Sequence, residues 1–195
     1  MSKDFEVNEI GLFLFPTRVS IFKTNVDTDN VYKTITLLKE TVESVNLSNV
    51  GGWQSPDRLI EEDERFKEVF DVQDKCLNQY LRTYNEVNYY LDNSWANINN
   101  GTSFNRVHIH PGSQLSGCLY IKVPGGTIEF HDPRVRASME IHRYETCPEN
   151  YGVYTVAPEE GDFIVFPSWL EHRVNPSNCT EGRASVASNY AVTLV

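Results

Sequence analysis

Apolar residues recur at helical spacing twice in the first half of the chain. Val31, Ile35, Leu38, Val42 and Val45 repeat every three to four positions through residues 27–46, with Asp27 or Thr28 available to cap the first turn. Phe66, Val69, Phe70, Val72, Leu77, Tyr80, Leu81 and Tyr84 do the same, and the spacing predicts a second helix over 64–90. Residues 9–22 are apolar and β-branched around Pro16, which predicts a strand, a kink and another strand. Gly51-Gly52-Trp53-Gln54-Ser55-Pro56 is rich in turn formers and is expected in a loop.

From Trp95 onward the pattern changes to short apolar runs broken by Gly, Pro and Asn. Strands are predicted at 95–99, 105–110, 116–123, 126–131, 151–157, 162–166 and 183–194. Helices first and strands afterwards imply an α+β, mainly β fold, with the helices packed outside a barrel or sandwich. A length of 195 residues suits one domain, with a 1–94 strand and helix region packed on a 95–195 β core.

Composition narrows the function classes. Net charge is −10, which disfavours nucleic acid and anionic membrane surfaces as partners. No apolar run reaches the length of a membrane span. The start Met1-Ser2-Lys3-Asp4-Phe5-Glu6 lacks the basic and apolar regions of a signal peptide, so a cytoplasmic protein is expected. Cys76, Cys118, Cys147 and Cys179 form no C-x-x-C pair and are read as reduced, mostly buried thiols, with Cys118 acting as a small apolar core residue. Exposed aromatic residues in the N-terminal half would suit a homodimer.

Three of the five histidines sit where metal ligands would. His108 and His110 flank Ile109; on a strand, alternate side chains share a face, and two rises place their Cα atoms about 7 Å apart. Such a pair can converge on one ion at about 2.1 Å from each nitrogen. H-x-H alone is a weak signal, because two histidines on a strand are often a solvated polar face. The run Gly161 to Val174 adds to it: an apolar strand, Phe163 to Phe166, is broken by Pro167, and His172 follows. Ten residues then separate His172 from Arg183, which opens the last strand. There Arg183, Ser185, Ala187 and Asn189 share one face. An inward guanidinium beside a hydroxyl is a carboxylate receptor, whereas a strand-end arginine can also snorkel to solvent.

The ensemble resembles the Fe(II)/2-oxoglutarate-dependent oxygenase superfamily, and within it a 2OG-Fe(II) oxygenase family of marine bacteria and their phages. The residues that carry the resemblance are Leu14-Phe15-Pro16, Gly52-Trp53-Gln54-Ser55, Trp95-x-Asn97 and His108-x-His110-Pro111-Gly112. Leu115-Ser116-Gly117, Tyr120, Phe130-x-Asp132-Pro133-Arg134, the Phe166 to Val174 run and Arg183-x-Ser185 complete it. The resemblance covers nearly the whole chain. It implies a double-stranded β-helix, the jelly-roll or cupin-like barrel, with N-terminal buttressing helices. It also implies Fe(II) held by His108, His110 and His172, and 2-oxoglutarate held by Arg183 and Ser185 with Tyr120 nearby. Dioxygen would be consumed, a small-molecule or peptidyl substrate hydroxylated, and succinate and carbon dioxide released.

One position departs from the superfamily's usual two-histidine, one-carboxylate triad: residue 110 is His. Either His110 is itself a ligand or a carboxylate such as Asp132 completes the shell, and Asp132 before Pro133 also reads as a turn residue. His108-x-His110 with Gln114, and His172 with Asn175, half-match a cupin. That alternative keeps the barrel but has no use for 2-oxoglutarate, as has a third reading, a non-catalytic barrel module.

Overall fold

A computed structural model describes residues 15–84, 87–134 and 152–194. Among them lie two antiparallel sheets that face each other and two helices on the outer face of one sheet. The larger sheet has the order β1-β9-β6-β11-β4-β3, built from Ser20–Lys23 (β1), Trp53–Gln54 (β3), Val87–Asn99 (β4), Leu115–Lys122 (β6), Asp162–Pro167 (β9) and Arg183–Leu194 (β11). The smaller has the order β2-β5-β10-β7-β8, from Asn49–Val50 (β2), Phe104–His108 (β5), Ile128–His131 (β7), Val153–Val156 (β8) and His172–Val174 (β10). This is the double-stranded β-helix.

The two-residue period of the strands sorts side chains into two cores. On β9, Phe163 and Val165 face the helices, whereas Ile164 and Phe166 face the smaller sheet. The helix-side core adds Ile35 from the helix Thr28–Thr41 (α1) and Val69, Leu77 and Tyr80 from the helix Lys67–Leu81 (α2). The inter-sheet core is Tyr120, Ile128, Phe130, Val156, Ile164, Phe166 and Leu170. Gly117 lies where any Cβ would come within 2.4 Å of the Phe163 ring, so glycine lets β6 and that ring approach.

The first helix begins where its cap predicts: Asp27 accepts the Asn30 backbone N–H at 3.1 Å. The second is shorter than its apolar spacing suggested. A 3-10 turn over Glu64–Phe66 precedes it, it ends at Leu81, and residues from Val87 onward form β4 instead of continuing the helix. Val87, Tyr89 and Leu91 pack on the core at alternate positions, and pairing along the whole length of β11 outweighs a helical reading of that apolar run. The strand expected from residue 95 therefore starts at 87. The segment expected as a loop around Trp53 also carries short strands: β2 joins the smaller sheet, Gly51 turns the chain at φ +73°, and β3 joins the larger sheet. Trp53 is buried, and its indole N–H donates to the Val42 carbonyl at 2.9 Å, so it plugs the core. Leu14, His142 and Cys147 lie outside the described residues.

Candidate metal and co-substrate centre

His172 and His108 are direct partners across the antiparallel β10–β5 pair. Their rings meet at 4.3 Å between centroids. His110 is not on β5, which ends at His108; it lies two residues beyond, where its backbone N–H donates to the Ser168 carbonyl at 2.9 Å. The His110 loop is thereby laced to the turn that Pro167 creates before His172. Its ring still converges, with Nε2 3.2 Å from Nε2 of His172. One nitrogen from each of the three residues lies within 4.8 Å of the others. Two nitrogens each about 2.1 Å from one ion, at tetrahedral or right angles, are about 3.0–3.4 Å apart, so the spacing fits shared coordination.

The second nitrogen of two of the rings supports that fit. His108 Nδ1 lies 2.6 Å from the Arg106 carbonyl and His172 Nδ1 2.9 Å from the Leu170 carbonyl. A carbonyl can only accept, so Nδ1 carries the proton and Nε2 keeps its lone pair. Burial lowers the His108 pKa. Burial, with His108 as a close neighbour, takes His110 down to about 4 and His172 to about 3. Three neutral imidazoles at neutral pH are the donor set a divalent ion requires. Asp132 is not part of this cluster; its carboxylate accepts from the Arg134 backbone and guanidinium, as a turn residue would.

Beyond the histidines the barrel narrows into an inner pocket lined by Asn97, Asn99, Cys118, Tyr120, Arg183 and Ser185. Arg183 is only 3% exposed, so it does not snorkel to solvent. Its Nη1 donates to the Asn175 carbonyl at 3.4 Å, and its Nη2 is buried with no partner. Gly126 makes room for it, since a Cβ there would come within 2.6 Å of Nη1. Burial lowers the Arg183 pKa and raises that of Tyr120 well above the usual phenol range. Both remain donors at neutral pH. Seven buried side-chain polar atoms among the described residues lack a partner, and four of them, on Asn97, Asn99, Tyr120 and Arg183, line this one pocket. Orphaned donors and acceptors are costly when buried: the Arg183 Nη2 and Tyr120 hydroxyl donors suit an anionic group, whereas the Asn97 and Asn99 oxygens can only accept and call for a donor.

The period-2 reading of β11 holds, because Arg183, Ser185, Ala187 and Asn189 all line the pocket. The same rule on β6 brings Ser116 and Cys118 in beside Tyr120. Cys118 packs on the inter-sheet core as expected and also lines the pocket, and burial pushes its thiol pKa up. Gln114 and Asn175, the half-match to a cupin, are engaged elsewhere. Gln114 Oε1 accepts from the Val192 N–H, and the Asn175 amide donates to Thr127 and Glu129. Above the histidines a wider cleft of about 590 Å³ opens to solvent, lined by Ser48, Gln54, Asp57, Trp95 and Arg106 among others; on the same measure the inner pocket holds about 60 Å³. A narrow inner pocket and a broad outer cleft thus share one floor, His108 and His110.

Comparison with known proteins agrees with this arrangement. The profile of a family described as "Putative 2OG-Fe(II) oxygenase" matches residues 93–189, from β4 to β11. No curated protein matches the chain. Among solved structures, the fold is similar to a Pseudomonas putida prolyl-4-hydroxylase, with 13% identity, TM-score 0.62, and 90% of this chain and 92% of that chain covered. It is also similar to HygX from Streptomyces hygroscopicus, solved with nickel and 2-oxoglutarate bound, with 14% identity, TM-score 0.61, and coverage of 90% and 83%. A prolyl hydroxylase from Trichoplax adhaerens, in complex with a hypoxia inducible factor peptide fragment, aligns with 14% identity, TM-score 0.59, and coverage of 89% and 83%. The matched segment contains all three histidines, Tyr120, Arg183 and Ser185, and the chain belongs to the Fe(II)- and 2-oxoglutarate-dependent oxygenases.

Proposed function

We propose that the protein hydroxylates a C–H bond of a substrate in the outer cleft, with His108, His110 and His172 holding iron and Arg183, Ser185 and Tyr120 holding 2-oxoglutarate. The observation that carries this reading is the pair of unpartnered buried donors, Arg183 Nη2 and the Tyr120 hydroxyl, in a pocket floored by three convergent imidazoles. The guanidinium of Arg183 and the hydroxyls of Ser185 and Tyr120 are suited to a carboxylate at the closed end of the pocket. A five-carbon dicarboxylate anchored there would present its other end to the histidines.

Bound iron supplies one-electron chemistry with dioxygen. In the net reaction one oxygen atom enters the substrate C–H bond as a hydroxyl and the other enters succinate as 2-oxoglutarate loses carbon dioxide. The residues of this chain bind and orient. The Arg106 and Leu170 carbonyls hold the His108 and His172 rings with Nε2 inward, and Trp95 lies against His110 with ring centroids 5.6 Å apart. Phe130 and Phe166 pack around His172 and keep water from its inner side. Anaerobic titration of Fe(II)-loaded protein with 2-oxoglutarate tests the reading. A saturable visible charge-transfer band is expected, and metal binding without that band would move the assignment to a cupin-like metal enzyme.

A further inference from the structure

The outer cleft contains a polar group that the chemistry above does not use. Gln54 is only 2% exposed and lines the cleft. Its backbone N–H donates to the Ser44 hydroxyl and its carbonyl accepts from the Val45 N–H, while its side-chain carboxamide makes no hydrogen bond among the described residues and its polar atoms are not among the fully buried ones. By register Gln54 sits opposite Asn97 on β4, one alternate position from Trp95. A carboxamide on the cleft wall presents a donor and an acceptor side by side, and a ligand that excludes water from it must supply an acceptor and a donor in return. Two neutral groups supply both in one plane, another amide and the edge of a nucleobase.

Two further features select among such ligands. The cleft's ionised side chains, Asp57 and Arg106, have opposite signs and lie at the exposed rim, so the lining does not select a charged ligand. Leu47, Val107 and Ile109 line the same cleft and are 63%, 45% and 43% exposed. A sugar or nucleoside would leave those apolar side chains wet, whereas a polypeptide with apolar residues beside its main-chain amides would cover them. We propose that the outer cleft takes a neutral polypeptide segment, pairing one of its amides with the Gln54 carboxamide and seating its apolar side chains on the Leu47, Val107 and Ile109 rim. This deepens the oxygenase reading by naming its substrate class, and as a substrate assignment it rests on that reading.

The test is equilibrium dialysis of the full chain, with and without Fe(II) and 2-oxoglutarate under anaerobic conditions, against pools of N-acetylated, C-amidated hexapeptides. Mixtures of aminoglycosides and of nucleosides are run in parallel, and retained compounds are read by mass spectrometry. Retention of apolar, uncharged peptides is expected. Gln54→Leu should lower that retention at least tenfold. Gln54→Glu, which keeps the shape but can only accept, should do the same if the leucine variant folds poorly. Retention of aminoglycosides or nucleosides instead, retention of no peptide, or variants that stay within twofold of wild type would each overturn the proposal. The charge-transfer titration is scored separately, so a positive band without peptide retention removes the substrate class and leaves the oxygenase assignment standing. Peptide retention without the band supports the cleft and removes the oxygenase role of its floor.

Discussion

His172 stands directly opposite His108 across the β10–β5 pair, and both rings are turned by a backbone carbonyl two residues upstream, Leu170 for one and Arg106 for the other. The histidine cluster is therefore set by sheet register as much as by residue type. The proposed ligand set predicts that the protein binds one divalent ion and that His172→Ala loses it. An ion at 100 times its Kd stabilises by about 2.7 kcal/mol, roughly 5–10 °C in Tm for a chain of this size. Differential scanning fluorimetry with and without Fe(II) or a redox-silent substitute such as Zn(II) reads it. Asp132→Ala should keep the full shift. Loss of the shift in Asp132→Ala and its retention in His110→Ala would exchange the third ligand.

Arg183 supplies a second prediction. Its guanidinium is buried with Nη2 unpartnered, so a bound carboxylate would gain a charge-assisted bond that water never competes for. Such bonds are worth about 1.5–3 kcal/mol, which corresponds to roughly a 10- to 150-fold change in affinity. Arg183→Ala should weaken 2-oxoglutarate binding by that factor in the anaerobic titration, with the metal-dependent Tm shift retained. Arg183→Lys should fall between, since a point charge replaces a planar fork. Equal affinities in wild type and Arg183→Ala would remove Arg183 from the co-substrate site.

The site was more legible in the sequence than the fold around it. The two-residue period alone places Arg183 and Ser185 on one face, though burial of that face is seen only in the structure, and the Pro167 break announces that His172 begins a new strand. What stayed hidden depends on pairing partners far along the chain. Residues 87–94 carry apolar residues that a helix could also use, and only β11, about a hundred residues later, decides that they form a strand. The Gly51-Gly52 pair is a turn as its residues suggest, yet Asn49–Val50 before it and Trp53–Gln54 after it pair with different sheets. Cys118 shares the Tyr120 face by the same period that placed Ser185, so its pocket position was available from β6. Its apolar neighbours argued for the core position that it also holds. Gln54 had no local signal, because its burial follows from β3 docking on β4.

The depressed histidines predict how the metal-free protein responds to acid. The ordinary histidine value is 6.5, whereas burial first, and neighbouring histidines next, hold His110 near 4 and His172 near 3 in the folded chain. Below about pH 6.5 the unfolded chain takes up protons that the folded chain refuses, so stability is fully present above that pH and falls as pH drops towards 4. The slope is at most about 1.4 kcal/mol per pH unit for each histidine, and the three titrate as a coupled set. Urea midpoints of the metal-free protein should fall between pH 7 and pH 5. A His172→Gln variant should show a flatter profile over the same interval, and parallel profiles for the two proteins would contradict the burial argument.

A polar anchor between helix and sheet makes the last prediction. Gln73 on α2 is 1% exposed, and its Oε1 accepts from the Ser188 hydroxyl at 2.9 Å and the Tyr190 hydroxyl at 2.8 Å, both on β11. Burial holds the Tyr190 phenol protonated, so it acts only as a donor to this oxygen at ordinary pH. Gln73→Leu keeps the volume but orphans two buried hydroxyls, each worth about 1–3 kcal/mol when left unmade. Relief comes from removing Gln73 Nε2, which has no partner in the wild-type core. The net cost should be about 2 kcal/mol or more, a fall in Tm of roughly 5 °C or more, measured by thermal unfolding. Adding Tyr190→Phe to that variant removes one orphaned hydroxyl and should recover part of the loss, whereas Tyr190→Phe alone should destabilise. That change of sign identifies a coupled pair. If both single variants and the double variant unfold with wild type, α2 is held to β11 by its apolar contacts alone.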